Sequence, residues 1–319
     1  MTLMFGIYPG GLGVTDDNHV TQGPPEDSGK ITAALDLLKP SLVRGYVHYD
    51  DATVRAAAPR TEAPPAPHRY ATDGRRLDLV ACFREPGLDL TGWLGFLRDQ
   101  LRTHGPLLAS LQVTEEANHA GPGGDGRSPA VRDALVTGVI EAEREARRLG
   151  LDVLIGCNST LDFSPEQEFW TDLGKRGGDE FREALDYAGL DFFPDVFHPI
   201  PADRLPVAVA GALATFRERS LAAAGIPAEV PLHITEHGWG TGPDRSGERQ
   251  AEVLELVVGI VAERSADLNI RAYEHFALRD ADSANPDPVF QLGLLRSDYT
   301  PKPAFETYRR LISTLGGPR

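Results

Sequence analysis

Residues 107–157 read LLASLQVTEEANHAGPGGDGRSPAVRDALVTGVIEAEREARRLGLDVLIGC. This stretch decides the fold. It opens on an apolar run, Leu107 to Val113, and closes on another, Leu151 to Cys157. Between them Leu135, Val139, Ala142, Ala146 and Leu149 recur at spacings of four, three, four and three residues, among Glu141, Glu143, Arg144, Arg147 and Arg148. That spacing is one apolar stripe on a helix. Gly150 follows where a left-handed cap stops such a helix. Strand, helix, strand is the unit from which parallel sheets are built.

The same alternation runs outward in both directions. Apolar runs at Met4 to Tyr8, Leu42 to Val47, Leu77 to Phe83, Leu190 to Val196, Pro231 to Thr235 and Ile270 to Ala277 bring the expected strands to eight. Helices are expected at Ser28 to Leu38, Leu94 to Leu101, Asp179 to Tyr187, Ala202 to Ala223, Glu248 to Arg264 and Ala304 to Leu315. In the second connection Pro59, Pro64, Pro65 and Pro67 leave room only for a short helix around Thr53 to Ala58. Eight strands with crossovers spread over 319 residues, with no linker, predict an α/β chain folded as one single (β/α)8 TIM barrel over 1–319, its second helix weak or missing.

Composition narrows the function. Asp and Glu number 47 against 32 Lys and Arg, a formal charge of -15, which opposes binding to nucleic acid or to acidic lipid. The first residues carry no basic leader before an apolar core, so a cytoplasmic protein is expected. Cys82 and Cys157 each lie inside an apolar run and read as buried, reduced thiols. Trp93 and Trp170, in crossovers, read as core.

Barrel active sites are built at the C-terminal ends of the strands, and polar residues gather there. Arg44, Tyr46 and His48 alternate on strand two. Thr114-Glu115-Glu116-Ala117-Asn118, with His119 next, closes strand four, and Asn158 ends strand five. Asp195 and His198 end strand six, Glu236, His237 and Trp239 end strand seven, and Glu274 lies on strand eight. Carboxylates on facing parts of one rim suit glycosidic bond cleavage. One protonates the leaving oxygen while the other attacks the anomeric carbon or activates water, and a separation near ~5 Å selects the covalent, retaining route.

At these residues the chain resembles the glycoside hydrolases of clan A, retaining (β/α)8 enzymes. Ile234-Thr235-Glu236-His237-Gly238-Trp239 is similar to the clan's Thr-Glu-x-Gly-Trp segment and implies Glu236 as nucleophile. Leu111 to Asn118 is similar to its Asn-Glu-Pro-Asn segment and implies Glu116 as acid/base. Val43-Arg44-Gly45 matches an inward Arg that braces the nucleophile, and Tyr299-Thr300-Pro301-Lys302-Pro303-Ala304 matches the lead into the last helix. The resemblance implies no cofactor and no metal, and a small glycoside or oligosaccharide as partner. Two departures stand out. Glu115 replaces the clan's Asn, so that Glu115 itself is a second candidate for the acid, and Tyr273-Glu274-His275-Phe276 replaces a strand-eight Trp.

Further contacts to sugar are expected from Arg44, His48, Glu115, Asn118, His198, Trp239 and Tyr273, with Trp239 read as a stacking platform or as packing. Residues 121–126, Gly-Pro-Gly-Gly-Asp-Gly, read as a flexible active-site loop. Two other functions fit the same residues. A metal-dependent sugar isomerase or hydrolase would draw on Glu115, Glu116, His119, His198, Glu236, His237 and Glu274, although no His-x-His spacing is present. A barrel that binds carbohydrate without cleaving it is the third.

Overall fold

The computed structural model describes residues 2–14, 20–21, 24–49, 66–121 and 123–317. Eight strands form one closed parallel barrel: β1 (Met4–Ile7), β2 (Leu42–Tyr49), β3 (Arg76–Phe83), β4 (Leu108–Val113), β5 (Leu154–Thr160), β6 (Tyr187–Asp191), β7 (Leu232–His237) and β8 (Ile270–His275). Closure comes from β1, which pairs with β8 on one side and β2 on the other. Seven helices surround it: α1 (Ser28–Leu38), α2 (Thr91–His104), α3 (Val131–Leu149), α4 (Glu168–Ala184), α5 (Leu205–Thr215), α6 (Gly247–Arg264) and α7 (Pro303–Leu315). The second crossover holds, among the described residues, only a 3-10 turn at Pro67–Tyr70. The short helix expected around Thr53 to Ala58 lies outside the described residues. The chain therefore has the (β/α)8 fold that its alternating pattern predicts.

Local chemistry explains the helix limits. Asp27 caps α1 by accepting from Gly29 N and Lys30 N, and Gly150 ends α3 at φ 65°. Three expected boundaries move. Strand five runs 154–160, not 151–157, and strand six runs 187–191, not 190–196, because the apolar Phe192 and Phe193 belong to the loop beyond it. The helix expected from Asp179 begins at Glu168. Gly178 breaks its geometry at φ 55° and ψ -145°, and the apolar spacing survives only on either side.

The outward faces of the strands pack on the helices. Trp93 and Trp170 are fully buried there, with indole N–H groups donating to Ala134 O at 3.0 Å and Ser159 Oγ at 3.2 Å. Each such ring buries roughly 150–250 Å², about 4–6 kcal/mol before entropy is counted. Cys82 and Cys157 are free and fully buried, and burial pushes the Cys157 thiol up to about 12.

The inside of the barrel is different. Arg44, Asp78, Ser110, Gln112, Asn158, Asp191, His233, Thr235 and Glu274 are all buried. Small residues make room for this polar filling. A Cβ on Gly6 of β1 would lie 2.4 Å from Glu274 Oε2. Gly6→Ala is expected to cost roughly 1–3 kcal/mol of stability, the range of an overpacked core, and a urea denaturation curve with an unchanged midpoint would refute this packing.

Candidate active site

The backbone at the end of β4 turns sharply. Thr114 has φ 65° and Glu116 φ 40°, left-handed values that cost a non-glycine residue of order 1–3 kcal/mol each. Asp125 holds the turn in place. Its buried carboxylate accepts from Phe83 N at 2.7 Å, Glu115 N at 2.8 Å and Arg84 Nε at 3.1 Å. Asn158 Oδ1 accepts from Glu116 N at 2.8 Å. The segment 121–126, expected to be a flexible loop, includes Pro122, which lies outside the described residues; within it Asp125 is 1% exposed.

Opposite, β7 carries a bulge. Leu190 and Asp191 of β6 face Ile234 and Glu236, so Thr235 is the extra residue, and β8 shows the matching shift between Tyr273 and His275. A bulge re-aims side chains beside an active site. Here Thr235 donates to Asp191 Oδ1 at 2.6 Å while Glu236 reaches the centre of the mouth.

Arg44 is the hub between the two sides. It is 1% exposed; Nε donates to Tyr46 Oη at 2.8 Å, Nη1 pairs with Asp78, and Nη2 donates to Gln112 Oε1 at 2.9 Å and lies 3.5 Å from Glu115 Oε2. Its Nε is 3.6 Å from Glu236 Oε1, to which the Tyr46 hydroxyl also donates a short hydrogen bond. Glu115 Oε2 accepts in addition from Gln112 Nε2 at 2.7 Å and Asn158 Nδ2 at 3.3 Å. Asn158 Nδ2 donates to Asp191 Oδ2 at 2.5 Å. One oxygen each of Glu115, Asp191 and Glu236 lie within 4.8 Å of one another.

Several buried carboxylates around one guanidinium cannot all ionise. Burial, then the Glu236 charge, pushes Glu115 up to about 8, against the pull of Arg44. Burial, then Glu115 and Glu236, holds Glu116 well above the usual carboxylate range, and burial does the same to Asp191. Burial also raises Glu236, but Arg44, Tyr46 and Glu115 draw it back by charge and hydrogen bonds. A proton on Glu115 thus helps keep Glu236 ionised.

Glu115, rather than Glu116, is the strand-four acid that meets Glu236 inside the barrel. Glu116 is half-buried at the rim. Asn118 uses its side chain on the Thr160 backbone, donating to O and accepting from N at 3.0 Å each, which ties β4 to β5. Two expected sugar contacts are corrected. Trp239 is 3% exposed, with Arg245 over its face at 3.6 Å and its indole N–H held by Asp195, so it packs the loop after β7 instead of offering an open platform. Tyr273 points outward and is fully buried against Phe5 and Tyr308, its hydroxyl on His237 Nδ1. His198 is exposed in the loop after β6, not on a strand. His48 is half-buried near the end of β2, two residues beyond Tyr46.

The sequence reading passed over Asp191 and Asp78, each buried within an apolar run. Phe276 stacks on Tyr8 with centroids 4.8 Å apart, meets Phe193 edge-on at 6.4 Å, and packs in one cluster with Tyr46, the donor to Glu236. Of the proposed metal ligands, Glu115 and Glu236 come together with Asp191, and no histidine joins that group among the described residues.

With this geometry in hand, comparison with known proteins shows where the architecture recurs. No protein-family model matches the sequence, and no curated protein matches it. Solved structures do. A family 39 glycoside hydrolase from the gut symbiont Bacteroides cellulosilyticus WH2 has a TM-score of 0.66 at 15% identity over 99% of this chain and 64% of its own. A β-glucuronidase from Ruminococcus gnavus, in complex with D-glucuronic acid, has a TM-score of 0.63 at 12% identity over 97% of this chain and 49% of its own. A Bacteroides uniformis β-glucuronidase, covalently bound to cyclophellitol-6-carboxylate aziridine, has 0.59 at 13% identity over 97% and 34%. The likeness is one of fold. This chain spans about half to two thirds of the length of the first two structures.

The raised acid carries a signed prediction. Glu115 goes from 4.5, its ordinary value, to about 8 in the folded chain. Its contribution to stability is therefore fully present below about pH 4.5 and is lost as pH rises through about 8. Urea denaturation at pH 5 and pH 8 is expected to show the folded chain weakening with pH, and Glu115→Gln to weaken less. An equal decline in wild type and variant would contradict the assignment.

Proposed function

We propose that the chain is a retaining glycoside hydrolase with Glu236 as nucleophile and Glu116 as acid/base. The observation that carries this reading is the bracing of Glu236 by Arg44 and Tyr46 at the barrel mouth, opposite the acids of the β4 turn. A nucleophile must be ionised, and the guanidinium and the phenol both favour its charged form. An acid must keep its proton, and burial together with the nearby charge of Glu236 does that for Glu116. Glu116 is preferred to Glu115 because it stands half-buried at the rim, where a leaving group departs, whereas Glu115 Oε2 is taken by Gln112, Asn158 and Arg44.

The cycle has two steps. Glu236 attacks the anomeric carbon and forms a glycosyl ester as the bond to the leaving oxygen breaks, and Glu116 gives that oxygen its proton. Water then enters, Glu116 takes a proton from it, and the resulting attack releases the sugar and restores Glu236. No cofactor enters either step. The covalent adduct described for the Bacteroides uniformis enzyme lends support at the level of the fold. The expected substrate is a small glycoside or oligosaccharide. Among the described residues no helix is long and apolar enough to cross a membrane.

A panel of aryl glycosides tests this. Glu236→Gln is expected to abolish turnover. Glu116→Gln is expected to lose about 100- to 10,000-fold in kcat on substrates with poor leaving groups, and much less with nitrophenolate, which departs without help. The same leaving-group pattern in Glu115→Gln, with Glu116→Gln near wild type, would move the acid role to Glu115, and an inert wild type would remove the hydrolase reading.

A further inference from the structure

The mouth holds more acid than a two-carboxylate mechanism needs. Glu115 and Asp191 stand beside Glu236, each with an oxygen within 4.8 Å of the others. Among the described residues, Arg44 and Arg84 are committed. Arg44 gives Nε to Tyr46, Nη1 to Asp78 and Nη2 to Gln112 and Glu115. Arg84 is held by Asp125 and by the Gly123 carbonyl. Arg279 is anchored on the Ser297 and Pro24 carbonyls, its Nη1 is buried without a partner, and its charge acts on Glu26. A carboxylate on a bound sugar would meet these acids, with Arg44 and Arg84 already held.

A second observation points to a ligand in the same place. Tyr8, on the tail of β1, is 1% exposed, stacks on Phe276 at 8° and stands edge-on to Tyr46 with centroids 5.3 Å apart. Its hydroxyl is buried without a hydrogen-bond partner, in the field of Glu26 and Glu236. Aromatic faces beside carboxylates are the surroundings that stabilise an ammonium group.

We infer that the site takes an amino sugar, its ammonium group replacing the Asn158 amide as the donor shared by Glu115 and Asp191 and its ring seated beside the Tyr8–Phe276 pair. This deepens the hydrolase reading and rests on the same mouth. The sugars bound by the structurally similar β-glucuronidases carry the opposite charge. The acids share protons when the site is empty, so an ammonium group that enters expels a proton to the buffer.

Calorimetry on the full chain at pH 7, in two buffers of different ionisation heat, tests the inference without requiring cleavage. D-Glucosamine is expected to bind roughly ten- to a hundredfold more tightly than D-glucose, the span of one charge-assisted hydrogen bond, and D-glucuronate more weakly than either. Glucosamine is expected to release a proton that glucose does not. Glu115→Gln is expected to remove most of the difference between the two sugars, read as the ratio of their affinities for the same variant, while the far-ultraviolet dichroism stays as in wild type. Equal binding of glucosamine and glucose, tighter binding of glucuronate, or displacement of glucosamine by calcium ions would overturn it, the last by showing that the acids serve a metal. Glucosamine binding with no glycoside cleaved would sink the hydrolase reading alone. Cleavage of neutral glycosides without preference for amino sugars would sink this inference alone.

Discussion

A single guanidinium buried inside a closed barrel governs this protein. Arg44 contacts side chains from β2, β3 and β4, and its charge extends to Glu236 on β7. Burying a lone cation is prohibitive, and removing one member of a buried pair costs about 3–5 kcal/mol. Arg44 therefore requires the acids around it, as they require Arg44. Burial, then repulsion among the acids, sets Glu115 at about 8 and raises Glu116, Asp191 and Glu274, so protons absorb part of the excess charge. The usual branched apolar filling of such a barrel is here largely replaced by a hydrogen-bonded network whose stability is tied to pH.

Much of this was legible in the sequence where the local pattern and the tertiary outcome agree. The stripe from Leu135 to Leu149 becomes α3, and Gly150 ends it. The segment around Glu236 falls at the end of β7, and Arg44 faces inward on β2. The failures share a cause, which is loss of phase. Strand six read three residues late, and Asp191 was hidden in its apolar run. Tyr273 lies one residue from an inward position, and a single step in a strand changes the face. The bulge at Thr235 depends on how three strands align, and nothing within β7 alone announces it. Trp239 was read by its type, but Arg245 had already taken its face.

Likeness to solved glycoside hydrolases at 12–15% identity locates the fold and leaves the substrate to the side chains. The acids of the site are not simply a sample of the chain's 47 carboxylates. They are buried, interlocked, and neutralised in part by protons, whereas acids such as Asp152 on the outer surface lie in water.

Asp125 ties the rim of this barrel together in a way that bears on its modularity. Its carboxylate clasps the ends of β3 and β4 at once, yet it belongs to the loop that follows Asn118 and not to either strand. Barrel enzymes are usually thought to diversify by exchanging loops on an indifferent scaffold. In this chain the loop after β4 is a keystone, so a graft that kept both strands and Glu115 intact but lost Asp125 would leave the left-handed turn without its clamp. The portable unit is the loop together with its carboxylate.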